Sequence, residues 1–245
     1  MPKRRDEVFR IVSLNVCRLR PTSRRGRVRG ERLDQLLSEL DADVVALQEL
    51  EHEGDDRSDG DSPPGRTMHR ALGRHSRSGM RGIGVLGRAP FLDASEGRLS
   101  ARWLDDKGYV RVVVSPPASA GLGPAVEFIA LHLDPFSPRA RRRQIAALAR
   151  AVGPASIPRI VAGDLNAMSA SALFARKDHD ETVAVLADAL GVCRGEALKT
   201  FPNRFPTLAI DWILLSSDMA FEGLRAVRAD FSDHSAIVAD VYARA

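Results

Sequence analysis

The chain has 245 residues, which is enough for one domain with a sizeable core or two small ones. Hydrophobic residues make up 44% of it, so a packed globule is expected and a disordered chain is not. The net charge of +4 favours anionic partners, although an arginine-rich surface that simply faces water gives the same balance.

The chain shows no sign of a membrane or secretory destination. No apolar run approaches the roughly 20 residues that span a bilayer, and the charged segment 1–10 lacks the apolar stretch of a signal peptide. With only two cysteines, Cys17 and Cys193, a disulfide framework is not expected. We therefore expect a reduced, cytoplasmic setting, no membrane span and, by default, a monomer.

Apolar patterns along the chain predict many strands with a few helices between them. The predicted strands are Phe9–Val16, Val44–Leu47, Ile83–Leu86, Tyr109–Val114, Val126–Leu131, Arg159–Ala162, Ile210–Leu215, Leu224–Ala229 and Ala236–Tyr242. The predicted helices, from apolar residues at helical spacing, are Glu31–Leu40, Pro138–Val152 and Glu181–Leu190.

Two polar segments between these elements are predicted as loops. Residues 18–29 form an arginine-rich loop, and residues 51–64 an acidic loop rich in Gly, Ser and Pro. The carboxylates of 51–64 show no regular ligand spacing, so a solvated loop is preferred there to a metal site. No repeat or linker divides the chain, which predicts a single domain over 1–245. The irregular order of strands and helices favours two packed sheets flanked by helices, without fixing the pairing order.

Several predicted strands are bordered by a polar residue where the apolar run stops. These residues are Asn15, Glu49, His132, Asp164, Asn166, Asp211, Asp233 and His234. Strand ends suit a functional site because the sheet fixes the side chains while the adjoining loops admit substrate. Carboxylates with an amide suit Mg²⁺ or Mn²⁺, and histidines and asparagines can donate hydrogen bonds to phosphate oxygens.

Each of these residues alone also has an ordinary structural interpretation. Asn15 fits a cap or turn, His132 fits the edge of a core, and the GDLN segment 163–166 fits a type I turn. An Asp-His dipeptide is common by chance. The ordered set, rather than any one member, therefore indicates function.

That ordered set resembles the endonuclease/exonuclease/phosphatase superfamily, which includes DNase I-like nucleases, abasic-site endonucleases, neutral sphingomyelinases and inositol-polyphosphate phosphatases. The matching segments, in the family's order, are SLNV (13–16), LQEL (47–50), GIGVLGR (82–88), LHLD (131–134), Arg-x-x-Gln (141–144), GDLNA (163–167), TFP (200–202), IDWIL (210–214) and SDHSAI (232–237). The resemblance implies an α/β (α+β) fold, a DNase I-like four-layered α/β/β/α sandwich. It also implies hydrolysis of phosphoester bonds by metal-assisted in-line attack of water, with Mg²⁺ or Mn²⁺ as cofactor.

The resemblance further implies roles at the metal and the phosphate. Glu49 would be the principal metal ligand, with Asn15 helping to hold the metal or the phosphate. His132 would contact the phosphate, and Asn166 would bind the developing phosphorane. Asp164 would orient or deprotonate the attacking water.

A second group of matched residues concerns a histidine. Asp233 would support His234, which would bind a phosphoryl oxygen, and Asp211 resembles the family's aspartate that orients a histidine, although a part in metal binding stays open. One position departs from the family, since some of its nucleases carry an acidic residue two positions after the strand-end asparagine. Cys17 stands there, so a one-metal site is the simpler expectation.

The substrate is less defined than the reaction. We expect a phosphodiester, with DNA or RNA first, because the basic segments 18–29 (including Arg24 and Arg25) and 139–143 can contact a phosphate backbone. Against this, only 5% of the residues are aromatic, which leaves few platforms for stacking bases. The alternatives are a phosphatase or phosphodiesterase for a small phosphorylated metabolite or lipid headgroup and, as a further class, an inactive binding module.

Overall fold

The computed structural model describes residues 3–19, 24–51, 68–74, 81–99, 107–167, 181–193 and 195–244, with backbone alone at 24–27, 51, 74 and 81. The helices in these ranges are α1 Arg24–Leu40, α2 Pro138–Val152 and α3 Thr182–Leu190. The strands are β1 Phe9–Leu19, β2 Val44–Glu51, β3 His69–Arg74, β4 Arg81–Gly87, β5 Asp93–Arg98, β6 Gly108–Val114, β7 Val126–His132, β8 Arg159–Asp164, β9 Asp211–Leu215, β10 Met219–Val227 and β11 Ala236–Ala243.

The strands form two mixed sheets. The first sheet has six strands in the order β10-β11-β1-β2-β4-β3, and the second has five in the order β5-β6-β7-β8-β9. β1 runs parallel to β2, and β7 runs parallel to β8, whereas the other neighbours are antiparallel. Parallel neighbours place their carboxyl ends at one edge of a sheet, and this edge holds most of the polar residues singled out above.

Alternating side chains on the strands divide the interior into three apolar layers. Ile11 and Ala46 face the second sheet and pack in the core between the sheets with Val112 and Phe128. The outer face of the first sheet packs against Leu33, Leu37 and Leu40 of α1. The outer face of the second sheet packs against Ile145, Leu148 and Leu186 of α2 and α3. The order of layers is therefore α/β/β/α, which confirms the predicted four-layered sandwich.

Helix α2 follows the predicted bounds because its end signals are strong. The Ser137 side chain accepts a hydrogen bond from the backbone N–H of Ala140, Pro138 occupies the first turn, and Gly153 ends the helix with φ of 68°. None of the helices in the described ranges combines the length and apolar character that a membrane crossing requires.

Other predicted bounds were wrong. α1 begins at Arg24, so the second half of the predicted loop 18–29 is helical. The Arg29 guanidinium donates hydrogen bonds to the carbonyls of Val16, Cys17 and Phe231, which ties α1 to the end of β1 and to the loop before β11. Strands β3 and β5 were not predicted. The acidic segment begins at Glu51, the last residue of β2, and continues outside the described residues.

Gly163 allows β8 to approach β7 closely just before Asp164. Its φ is 150°, and a Cβ atom at this position would lie 1.9 Å from the carbonyl oxygen of Leu131. Any side chain would therefore push β8 away from β7 and displace Asp164 from His132. The glycine of the GDLN segment is thus a packing requirement of the sheet.

Candidate functional site

The strand pairing gathers polar residues at one end of both sheets. Asn15 and Glu49 lie near the ends of the parallel strands β1 and β2. Asp164, at the end of β8, lies opposite His132 on β7 and Asp211 on β9. Residues from five non-contiguous segments of the chain thereby meet at one edge, which we call the site end.

The Asn15 side chain joins the two sheets at the site end. It is 2% exposed, and its Nδ2 donates hydrogen bonds to Oε1 of Glu49 at 3.3 Å and to Oδ2 of Asp164 at 3.0 Å. Its Oδ1 accepts the backbone N–H of Cys17 at 2.9 Å. Asn15 therefore turns its nitrogen toward the carboxylates and holds one from each sheet.

His234 is oriented by an aspartate that is distant in sequence. Its Nδ1 lies 2.9 Å from Oδ2 of Asp211, and the same oxygen accepts the hydroxyl hydrogen of Thr200 at 2.5 Å. The Phe201 ring packs against the imidazole with 4.8 Å between centroids. With Nδ1 occupied in this way, Nε2 faces Asp164 Oδ2 at 4.0 Å.

The surroundings of His234 favour its charged form. Burial alone would lower the pKa of His234, but the hydrogen bond and charge of Asp211, with the charge of Asp164, raise it to about 9. Near neutral pH the ring is therefore protonated and can donate a hydrogen bond from Nε2.

The predicted support of His234 by Asp233 involves no hydrogen bond to the ring in the described residues. Asp211 supplies the partner of Nδ1, while Asp233 is exposed and its side chain faces Cys17. Burial, followed by the charge and hydrogen bond of Asp233, raises the pKa of the Cys17 thiol. Asp233 acts on His234 only through its charge, and its backbone carbonyl accepts the N–H of Asn203.

Asp164 occupies the centre of the site. Its Oδ2 lies 3.5 Å from Nε2 of His132, whose ring in turn lies 2.5 Å from Nζ of Lys107. Burial, followed by the negative charge of Asp211, raises the pKa of Asp164 from 3.8 to about 6. The site thus concentrates negative charge that neighbouring cations compensate only in part.

Asn166 and the residues around it hold the loops at the site end in unusual conformations. The backbone N–H of Asn166 donates to Oδ1 of Asp164 at 2.9 Å, and its Nδ2 donates to the carbonyl of Leu133 at 3.0 Å. The residues at the site end with left-handed backbone conformations are Cys17, Arg18, Glu49 and Asn166, with φ between 50° and 57°. Such conformations are strained for these residue types and cluster at functional sites.

The donor set at the site end fits a hard divalent cation. The carboxylates of Asp164 and Asp211 each offer a ligand atom, and these atoms lie within 4.8 Å of each other and of a ring nitrogen of His234, which binds a metal only when it is neutral. In the described part of the chain, the buried Oδ1 of Asp211 has no hydrogen-bond partner. Glu49, which accepts a hydrogen bond from Asn15, adds a further carboxylate to the site. Carboxylate oxygens in this number suit Mg²⁺ or Mn²⁺ better than softer metals.

Three further residues of the site were not singled out from the sequence. Thr200 was noted only as part of TFP, and Ser232 only as part of SDHSAI, yet the Ser232 hydroxyl binds the carbonyl of Asn15 at 2.6 Å and the N–H of His234 at 3.1 Å. Lys107 precedes β6 after a stretch without periodicity. Only the pairing of β6 with β7 places it beside His132.

The predicted basic contacts are placed only in part. The side chains of Arg24 and Arg25 lie outside the described residues. In the 139–143 cluster, Arg141 is buried and donates to Thr182 and to the carbonyl of Asp134, so it holds α2 in place and its predicted phosphate contact is wrong. Arg142 forms an exposed ion pair with Glu181 at 3.0 Å.

Comparisons with known proteins agree on one family and one fold. A sequence model of the endonuclease/exonuclease/phosphatase family matches residues 12–234. The human Nocturnin catalytic domain with bound sulfate anion is similar with a TM-score of 0.72 and 17% identity, over 100% of this chain and 97% of that one. An endonuclease/exonuclease/phosphatase from Bacteroides vulgatus gives 0.71 and 17%, over 96% and 99%. D. rerio TDP2 complexed with single strand DNA product gives 0.68 and 17%, over 95% and 98%. At these identities the structural likeness shows the fold alone, and no curated protein matches the sequence.

Proposed function

This chain belongs to the endonuclease/exonuclease/phosphatase family, and from that premise we propose that it is a Mg²⁺- or Mn²⁺-dependent phosphodiesterase acting on nucleic acid. Family membership indicates a phosphoesterase in general, whereas the metal, the substrate and the residue roles are the proposed part. The observation that carries the proposal is the Asn15 amide, which holds Glu49 of one sheet against Asp164 of the other. Two histidines lie within 4.0 Å of Asp164.

The carboxylate of Glu49 is the proposed principal metal ligand, with Asn15 helping to hold the metal or the phosphate. A bound Mg²⁺ or Mn²⁺ ion supplies positive charge to the phosphoryl oxygens and orients the phosphate. We favour one metal because Cys17 replaces the second acidic position. The burial of Asp164 and the unpartnered Asp211 oxygen support a cation at this edge.

Asp164 is the proposed group that orients and deprotonates the attacking water. With a pKa of about 6 it is mostly charged at neutral pH, yet basic enough to take a proton from water in the transition state. Asn166 fixes one carboxylate oxygen of Asp164 through its backbone N–H, which leaves Oδ2 facing the histidines. The water oxygen then bonds to phosphorus as the bond to the ester oxygen breaks.

His234, His132 and Lys107 are the proposed donors to the phosphoryl oxygens. The protonated His234 donates from Nε2, because Asp211 and Thr200 fix the opposite side of the ring. Lys107, whose Nζ contacts Nε2 of His132, supplies a second positive charge on the other side of Asp164. Charge developing on phosphorus-bound oxygens is thus met from two directions.

Nucleic acid is the preferred substrate because charge and relatives point the same way. The net charge is +4, Nocturnin holds a sulfate anion in its structure, and TDP2 holds a single-stranded DNA product. A small phosphorylated metabolite or a lipid headgroup shares the phosphate chemistry but draws no separate support from the described residues.

The deciding experiment is a hydrolysis panel with Mg²⁺ and Mn²⁺. We expect metal-dependent cleavage of plasmid DNA or RNA and of bis-p-nitrophenyl phosphate, with little cleavage of the monoester p-nitrophenyl phosphate. Preference for the monoester would favour the small-molecule substrate. A folded protein inactive on the whole panel would favour the binding module.

The metal assignment is tested separately by calorimetric titration. Glu49→Gln removes a charge at nearly constant shape and should weaken Mg²⁺ or Mn²⁺ binding, whereas the exposed Glu181→Gln serves as a matched control with unchanged affinity. Unchanged metal affinity in Glu49→Gln would rule the assignment out.

The proposed contacts of Arg24 and Arg25 predict a steep salt dependence. Affinity for duplex DNA should fall with a log–log slope of about −0.9 per neutralised phosphate. Replacing Arg24, Arg25 and Arg27 by alanine should flatten that slope, whereas the ion-paired Arg142→Ala should not. An unchanged slope in the triple variant would remove these arginines from the site.

A further inference from the structure

Two phenylalanines are unusually exposed in this molecule. Phe136 is 91% exposed and Phe205 is 73% exposed. The other large hydrophobic side chains exposed in the described ranges are Val28 and Leu92. A single exposed apolar residue is ordinary on a protein surface, so the position of the two rings decides whether they matter.

Both rings are carried by loops at the site end of the second sheet. Phe136 follows β7 four residues after His132, and Phe205 precedes β9 six residues before Asp211. Because β7 and β9 lie on either side of β8, the two loops flank the strand that ends in Asp164. A substrate phosphate at Asp164 would therefore have an aromatic ring on each side.

The loop that carries Phe205 is fixed by a buried asparagine. The backbone N–H of Asn203 donates to the carbonyl of Asp233 at 2.6 Å, and its Nδ2 donates to the carbonyls of Ala229 and Ser232. Its Oδ1 accepts the hydroxyl hydrogen of Ser235 at 2.7 Å. These bonds attach the loop to the segment that carries His234, so Phe205 is held in place while its ring stays in water.

The loop that carries Phe136 is fixed in a similar way. The buried Asp134 accepts the backbone N–H groups of Phe136 and Ser137 at 2.9 and 2.7 Å. The N–H of Asp134 donates to the buried Gln144 of α2 at 2.9 Å. The backbone that carries each ring is thus fixed before a ligand binds, which reduces the conformational entropy that binding would otherwise cost.

The chemistry of the rings favours an unpaired nucleobase as the occupant. Aromatic side chains stack on any base, and the guanidinium of Arg204, which lies over the Phe205 ring at 5.8 Å from its centre, adds a positive charge beside the ring. The two rings are separated by the end of β8 and bordered by polar residues. They do not form the continuous apolar face that a lipid surface would need.

We propose that Phe136 and Phe205 are stacking platforms that make the site selective for single-stranded nucleic acid over duplex. This inference rests on the proposed function, since it names the form of substrate for the same site. In a duplex the bases are already stacked on each other and cannot lie on the rings, whereas a single strand can place one base on each side of the reacting phosphate.

The test measures binding to strands with and without bases. Fluorescence anisotropy is recorded for a short single-stranded oligodeoxynucleotide, an abasic strand of equal length and a duplex, using Asp164→Asn protein and, as a second state, wild-type protein in EDTA. Phe136→Ala and Phe205→Ala should each weaken binding of the base-bearing strand about 5- to 100-fold and leave the abasic strand unaffected.

Two control variants sharpen the comparison. Phe205→Tyr keeps an aromatic ring and should bind as the parent does. Leu92→Ala removes an exposed apolar side chain at the opposite end of the second sheet, where the Leu92 backbone N–H donates to the carbonyl of Val113. This variant should bind the oligonucleotides as the parent protein does. Equal losses on the abasic strand, or no loss on either strand, would overturn the proposal.

Two further measurements separate this proposal from its alternatives. Loss of binding to phosphatidylserine vesicles in the phenylalanine variants, with oligonucleotide binding unchanged, would overturn it in favour of a lipid surface. Hydrolysis of bis-p-nitrophenyl phosphate, which has no nucleobase, reports the proposed function alone. If that activity is present while the variants bind oligonucleotides normally, the platforms are wrong and the function stands. If hydrolysis of bis-p-nitrophenyl phosphate is absent while oligonucleotide binding depends on the rings, the proposed phosphodiesterase function is wrong and the stacking role of the two rings is supported.

Discussion

Both ends of the two sheets bury charged side chains, but they do so differently. At the end opposite the site, the buried Glu127 accepts hydrogen bonds from Arg111 and Arg159, and Arg159 donates further bonds to the carbonyls of Gly153 and Leu190. In the first sheet Arg10 forms two hydrogen bonds with the carboxylate of Asp240. Opposite charges are paired there.

At the site end, carboxylates face one another. Asp164 and Asp211 lie in register on adjacent strands, and burial, followed by the negative charge of Asp211, raises the pKa of Asp164 to about 6. At the other end the hydrogen bond from Arg88 lowers the pKa of Asp41. The comparison indicates that buried charges paired with opposite charges hold the structure together. Buried charges of like sign instead mark the place where a reaction can occur.

The largest expected effect comes from breaking a pair at the structural end. Glu127→Ala leaves the fully buried Arg159 without its carboxylate and should lower the free energy of unfolding by about 3–5 kcal/mol, with activity per folded molecule unchanged. Urea denaturation measures this directly. The exposed Glu181→Ala is the control and should change stability by less than about 0.5 kcal/mol. If Glu127→Ala changed the free energy of unfolding as little as Glu181→Ala, the structural role given to the Glu127–Arg159 pair would be wrong.

The reverse pattern is expected at the site end. Asp164→Asn and His234→Gln should each lower kcat on the order of 10² or more, because a positioned base or a donor to the phosphoryl oxygens is lost. Asp164→Asn should not lower stability, since it removes an unfavourable buried charge, whereas His234→Gln should lower it without unfolding the protein because Asp211 loses its charged partner. Steady-state kinetics and thermal melting together check both parts. Gross unfolding would assign these residues to the fold, and full activity would exclude them from the chemistry.

A smaller effect is expected from the residue behind the His234–Asp211 pair. Thr200→Val removes one of two donors to Asp211 Oδ2 and should lower kcat about tenfold with KM little changed. Thr200→Ser keeps the hydroxyl and should retain most of the activity. If serine and valine variants are equally impaired, packing of the threonine methyl group rather than the hydrogen bond is responsible.

The smallest effect is a slope of stability with pH. Since the folded pKa of His234 is raised above its usual 6.5 to about 9, proton binding stabilises the fold fully below about pH 6.5. The contribution is lost as the pH rises through 9. Melting temperatures of the metal-free protein should therefore fall between these values, and Asp211→Asn should flatten the fall. An equal slope in both proteins would show that Asp211 does not hold the proton on His234.

Sequence reasoning succeeded where local chemistry decides the structure. Most strands follow from apolar runs, α2 follows from its apolar stripe, and the sandwich follows from the family resemblance. β5 (DASEGR) was missed because it is an exposed edge strand, held by backbone pairing with β6 rather than by buried side chains. The early start of α1 was missed because its first turns are arginines, which are good helix formers without an apolar pattern.

The limits at the site have a similar cause. The candidate residues at strand ends do converge, since the sheet forces this once the pairing is known. Their partners could not be predicted, because Asp211 reaches His234 and Lys107 reaches His132 only through strand neighbours that are distant in sequence. Adjacency in the chain suggested Asp233 as the support of His234, whereas Nδ1 of the ring lies against Asp211, which is 23 residues away in the sequence.

The place of β11 in the first sheet has a consequence for how the protein is made. β11 is the strand of the described chain that is synthesised after all others, yet it lies between β1 and β10 and pairs with both. During synthesis, the backbone groups of β1 that pair with β11 therefore stay unpaired while the five strands of the second sheet are produced. His234 also emerges in this final stretch, two residues before β11. A growing chain can thus pair all strands of the second sheet first. The first sheet is completed only when β11 is inserted between β1 and β10, and the same step adds His234 to the site.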